Sequence, residues 1–133
     1  MSLLPLNPNA FTRFPLDRAG HYRRDQAWIE AALASPDARV APFFQHRPFV
    51  IEDHTISIGW LGSHALAALR PKIVLFLGLD EARTPHFSAD VTDAAPLEGL
   101  GRFDDLRALG PRLSRADLAT IGPAKSVFEW HAR

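Results

Sequence analysis

Six histidines, His21, His46, His54, His64, His86 and His131, are the residues of this chain best suited to proton transfer or metal binding. They show no H-x-H, no H-E-x-x-H and no pair four residues apart, the spacings that bring two imidazoles to one ion. His46 and His54 flank an expected hairpin and could converge, although two solvated loop histidines is the simpler reading. Asp104 and Asp105 are adjacent, so on a helix their carboxylates point about 100° apart and cannot face one substrate as an acid/base pair. Two acids at a helix start instead complement the positive end of its dipole. Arg107, in Asp105-Leu106-Arg107-Ala108-Leu109-Gly110, stands between two apolar anchors. Its fork-shaped guanidinium could meet a carboxylate or phosphate, in competition with an ion pair to Asp104 or Asp105 or plain solvation.

Other chemistry is excluded by what the chain lacks. It has no cysteine, hence no disulfide, thiolate nucleophile or sulfur-ligated zinc or iron–sulfur site within its residues. No G-x-S-x-G, P-loop or G-x-G-x-x-G occurs, and Gly99-Leu100-Gly101 has no third glycine and no phosphate-cradling helix behind it. Phe43-Phe44 and the tryptophans Trp28, Trp60 and Trp130 lack the interleaved basic residues of a base-stacking platform and read as core. Fifteen basic residues balance fifteen acidic ones, so the field that holds nucleic acid or anionic lipid is missing, and neither is expected as a partner. The longest apolar run, Ile73 to Leu79, is far short of the roughly 20 residues of a membrane span. Met1-Ser2-Leu3-Leu4-Pro5 has no secretory character, so the cytoplasm is the expected compartment.

The 133 residues suffice for one domain, which must position whatever chemistry is present. Residues 1–20, with Pro5, Pro8 and Pro15, read as an extended arm whose Phe11, Phe14 and Leu16 need cover from the domain or a second subunit. Residues 21–133 read as the domain itself. Asp25 is placed to cap a helix carrying Trp28, Ile29, Ala32 and Leu33. Three strand-like runs follow at Arg39–Gln45, Pro48–Ile51 and Thr55–Leu61, the last alternating as an antiparallel strand does. His64–Leu69 reads as a short helix stopped by Arg70-Pro71. Lys72–Leu79 reads as the central, doubly buried strand, with His86–Asp90 returning beside it. Residues 93–101 read as a loop, and Phe103–Arg107 as about one helical turn. Ser114 and Asp117 form a capping-box pattern opening a helix whose Leu118, Ile121, Ala124 and Phe128 share a face, with Pro123 kinking or restarting it. No stop signal follows Trp130, so the final helix reads as cut and the chain as a piece of a longer protein.

Val74-Leu75-Phe76-Leu77-Gly78-Leu79-Asp80, Pro85–Asp90, Leu106-Arg107-Ala108-Leu109-Gly110-Pro111-Arg112-Leu113-Ser114 and Glu129-Trp130-His131-Ala132-Arg133 together resemble the amino-terminal domain of NADH pyrophosphatases of the Nudix superfamily. The resemblance covers about residues 40 to 133. It implies a Nudix-like α+β domain, a mixed or antiparallel sheet flanked by helices, degenerate with respect to the catalytic domain. It also implies a four-cysteine zinc ribbon and a catalytic Nudix domain downstream, a homodimeric enzyme, NADH or NAD+ as substrate, and cleavage to NMN(H) and AMP with Mg2+ or Mn2+ bound in the catalytic domain and Zn2+ in the ribbon. Glu30, Glu52, Glu81, Glu98 and Glu129 cannot form the R-E-x-x-E-E cluster of a Nudix box, so no catalytic residue, metal ligand or cofactor is expected within this chain. The family's Leu-Arg step, matched by Leu106-Arg107, implies substrate contact by Arg107. Some relatives carry a lysine just after the first strand, where this chain reads Gly78-Leu79-Asp80. The alternative is a free-standing α+β binding or assembly module without activity. A histidine-dependent hydrolase is the weakest reading, lacking both a nucleophile constellation and a metal spacing.

Overall fold

A computed structural model describes residues 26–132; the expected arm over residues 1–20, His21 and the Asp25 cap lie outside the described residues. The elements are α1 (Gln26–Ala34), β1 (Arg39–Phe44), β2 (Arg47–Glu52), β3 (Ile56–Ile58), β4 (Leu61–Gly62), α2 (Leu66–Leu69), β5 (Pro71–Leu79), β6 (Pro85–Val91), β7 (Arg102–Phe103), α3 (Leu106–Leu109) and α4 (Arg115–His131). Short 3-10 turns occupy Ser63–Ala65, Ala95–Leu97 and Gly110–Arg112. The sheet runs β3-β2-β1-β6-β5, with β4 added to β1 and β7 to β2. Among the described strands β1 and β6 pair in parallel and the other pairs are antiparallel, so the sheet is mixed and the fold is α+β.

Side-chain alternation sends each strand's apolar residues to two cores, one on either side of the sheet. Ala41 and Phe43 of β1, Val50 of β2 and Leu77 of β5 pack with Ile121, Ala124 and Phe128 of α4. Val40, Phe49, Phe76 and Phe87 form the opposite core, where Trp28 and Ile29 of α1 and Leu66 and Leu69 of α2 cover them. Trp28 meets Phe76 edge-on at 5.3 Å, and Phe43 meets Phe128 at 5.3 Å. Leu69 ends α2, since the residue before Pro71 is excluded from the right-handed helical region, and Arg70 makes the turn into β5 in a left-handed conformation (φ 51°).

Several sequence expectations are corrected. The apolar run of β5 is the outermost strand of the sheet, and β6, fully buried along its length, is the inner one. Helices lie over both faces of β5, so it reads as a buried strand although it sits at the end of the order. The run Thr55–Leu61 is two strands: β3 pairs with β2, and after Gly59-Trp60 the chain moves to β1 as β4. Gly59 permits this passage, because a Cβ there would lie 2.4 Å from the Phe49 ring. Residues 93–101 include the 3-10 turn Ala95–Leu97, and Phe103 belongs to strand β7, so α3 starts only at Leu106. α4 is one helix of 17 residues through Pro123, neither stopped nor restarted there. Trp130 is 67% exposed rather than core, whereas Trp60 is buried and Trp28 packs against the α1-side core.

Candidate functional site

Arg107 owes its position to its two neighbours on α3. Leu109 is buried, Leu106 packs at the margin of the α4-side core, and the short helix therefore turns Arg107 outward. Asp105 is the cap, its Oδ1 accepting the Arg107 backbone N–H at 2.9 Å. The Arg107 guanidinium is exposed and makes no side-chain ion pair among the described residues, which leaves its five donors to solvent or a ligand.

Beside it lies a chain of charges. Arg102 Nη1 donates to Glu52 Oε1 at 2.7 Å and Arg102 Nε to Asp104 Oδ2 at 3.2 Å, while Arg112 Nη2 donates to Glu52 Oε2 at 2.7 Å. Glu52 thus ties β2 to β7 and to the turn after α3. Its carboxyl is held below the usual range by the Arg102 hydrogen bond first and that of Arg112 second. Asp104 is likewise held low, by the Asp105 backbone N–H and then by Arg102, whose own guanidinium is raised by the two carboxylates. Asp104 and Asp105 do not act as a pair: Asp105 caps α3, and Asp104 serves β7.

A second set of polar residues escaped sequence reasoning. His86, Ser88 and Asp90 occupy alternate positions of β6, point to one face and are all buried. Ser88 Oγ donates to the Ala41 carbonyl at 2.8 Å, Asp90 lies 3.9 Å from Lys72 Nζ, and His86 Nδ1 lies 2.9 Å from the Thr84 carbonyl with Trp60 edge-on at 4.8 Å. Burial chiefly lowers the His86 pKa, with Arg39 adding to it and the Thr84 carbonyl and Asp80 opposing. The hydroxyl bonds a carbonyl of β1 and the imidazole the carbonyl of Thr84 in the turn before β6, so the row does not form a nucleophile and base. The alternation His-x-Ser-x-Asp was visible in the sequence, but it signals a wet face, not a buried one.

His46 and His54 do not converge. They lie at opposite ends of β2, about 20 Å apart at the usual rise per strand residue. His64 lies against Gly62, where a Cβ would come within 2.6 Å of its ring. Among the described residues no group of three histidines or carboxylates is placed to hold a metal ion, and no helix is long and apolar enough to cross a membrane.

A family model described as NUDIX-like, NADH pyrophosphatase-like rudimentary NUDIX domain, matches residues 37–130. That span runs from the turn before β1 almost to the end of α4 and includes Arg107. No curated protein matches the chain.

Proposed function

The chain belongs to the NADH pyrophosphatase-like rudimentary NUDIX domains, and from this membership we propose that it is a non-catalytic domain of a cytoplasmic, homodimeric NAD(H) diphosphatase. It serves as scaffold and dimerisation element and touches the dinucleotide through Arg107. The family match over residues 37–130 carries this reading. Arg107 supports the contact chemically, because an exposed guanidinium without an internal carboxylate partner suits the anionic pyrophosphate of the substrate.

Hydrolysis itself belongs to other residues in this proposal. Mg2+ or Mn2+ would polarise the pyrophosphate and activate water, and zinc would be structural. This chain does not fit either ion: it has no cysteine, Glu52 is taken up by Arg102 and Arg112, and Glu129 pairs with Lys125 at 2.9 Å. No hydrolytic step is therefore assigned to it.

Titrating the 133-residue chain with NADH should shift the backbone amide signals of residues 105–109. Arg107→Ala should weaken binding at least about tenfold, since a hydrogen bond to a charged group contributes about 1.5–3 kcal/mol. Equal affinity in the variant would remove Arg107 from the contact. AMP release from NADH with Mg2+, scaling with the concentration of this chain, would overturn the non-catalytic assignment.

A further inference from the structure

Of the seven phenylalanines among the described residues, five are buried, and the two that are not, Phe44 and Phe103, stand together. Their ring centroids are 5.6 Å apart, and Phe103 also lies 5.1 Å from the buried Phe49. These three rings line an open cleft of about 450 Å³ between the β1–β2 hairpin and the segment that joins β6 to β7. A volume of this order suits a small ligand. Gly101 fixes the wall formed by that segment: a Cβ there would lie 2.5 Å from the Val50 carbonyl oxygen and 2.8 Å from Phe49, so the loop can approach the strand only with glycine at this place. Arg47 stands at the strand side of the cleft, exposed and without an ion pair among the described residues. Glu98 contributes the only carboxylate of the lining, from the loop wall.

We propose that this cleft binds a nucleoside monophosphate, its base stacked on Phe44 with the tilted Phe103 ring at its edge and its phosphate on Arg47. The half-buried Phe44 ring offers stacking area to a planar base, and Phe103, tilted by 53° from it, closes the edge. The Arg47 guanidinium feels the Asp104 carboxylate but makes no direct ion pair with it, so its fork is open to a phosphate in a geometry that a neutral ligand would not use. Glu98 repels the phosphate from the loop wall and offers an acceptor to the ribose hydroxyls, which fixes the ligand's direction. A purely apolar ligand would leave Arg47 unused, and a bare anion would leave the rings unused.

The cleft is distinct from the surface of Arg107. On β2, Arg47 and Phe49 point to the α1 side, while Val50 and Glu52 point to the α4 side, where Arg112 and α3 gather; Arg102, which lines the cleft and bonds Glu52, stands between the two. The inference therefore stands apart from the proposed dinucleotide contact, and the two can fail separately.

The test is a titration of the 133-residue chain with AMP, adenosine and inorganic phosphate, followed through backbone amide signals. AMP should shift residues 44–49 and 97–103 saturably and bind at least about tenfold more tightly than adenosine or phosphate, as one charge-assisted contact added to stacking requires. Arg47→Ala should abolish the preference for AMP over adenosine, Phe44→Leu should weaken AMP and adenosine alike, and Arg107→Ala should change the binding of neither. No saturation, shifts that map elsewhere, or undiminished AMP binding by the Arg47→Ala chain would each overturn the proposal.

Discussion

His86 has no contact with water, and the free energy of protonating it is correspondingly unfavourable in the folded chain. Its pKa lies below the ordinary histidine value because burial outweighs the help of the Thr84 carbonyl and Asp80. The unfolded chain binds a proton near pH 6.5 and the folded chain only at lower pH, so folding stability must fall as the pH drops below about 6.5. Glu52 and Asp104, held low by their arginine and backbone partners, lose their contributions only nearer pH 4, outside that window. Asp117 acts in the opposite sense, since its carboxyl is raised by burial against one hydrogen bond from the Ile58 N–H; its ionisation costs stability as the pH rises past 4. Thermal unfolding between pH 7 and pH 5 should therefore show a falling midpoint in the natural chain and a flatter profile in His86→Gln. Equal slopes in the two proteins would show that His86 is not the group responsible. At this scale the sequence was only half readable: the type and spacing of His86, Ser88 and Asp90 are plain, but their burial depends on α4 and Trp60, which come from distant parts of the chain. Arg107 was legible for the opposite reason, since Asp105, Leu106 and Leu109, all within two residues of it, set its place.

Among the elements, the β1–β2 hairpin carries two successive turn residues whose chemistry disagrees with their geometry. Phe44 faces Arg47 across a two-residue turn in which Gln45 has φ 52° and His46 φ 65°. Both values lie in the left-handed region, the signature of the turn that best matches the twist of a hairpin and normally carries Asn-Gly. Residues with a Cβ are strained there by about 1–2 kcal/mol each. Replacing Gln45-His46 by Asn-Gly should stabilise the chain by about 1 kcal/mol or more, read as a shift in the urea midpoint with an unchanged slope. A loss of stability would mean that the two natural side chains contribute more than their backbone strain costs. The strands on either side were readable from their aromatic and β-branched residues, whereas the turn carried no glycine to announce it. The ends of β3 and β4 were hidden for a related reason. Alternation continues across Gly59 and Trp60, and only the position of Phe49 against Gly59 reveals where the chain leaves β2 for β1. The order of strands was the least legible feature, because hydrophobicity reports covered faces, and β5 has covered faces at the end of the sheet.

The whole molecule places one sheet between two cores that share strands rather than residues. β1 sends Ala41 and Phe43 toward α4 and Val40 toward α1 and α2, and β5 divides Leu77 and Phe76 in the same way. A disturbance on one side is thus transmitted through backbone that the other side also needs, which predicts a single cooperative transition for both layers. Phe128, fully buried against Phe43, and Phe87, fully buried beside Phe76, are the matched probes. Truncating either to alanine should cost about 3–5 kcal/mol. That is a large part of the roughly 5–15 kcal/mol available to an ordinary domain. In urea, methyl signals of Leu109 and Ile121 on the α4 side and of Leu69 and Leu97 on the other should disappear together in the natural chain. In Phe128→Ala all four should move to the same lower midpoint. A shift confined to Leu109 and Ile121 would mean that the layers unfold separately. The two proposed binding surfaces, Arg107 on the α4 side and the Phe44–Phe103 cleft on the other, would then rest on independent supports instead of one cooperative sheet.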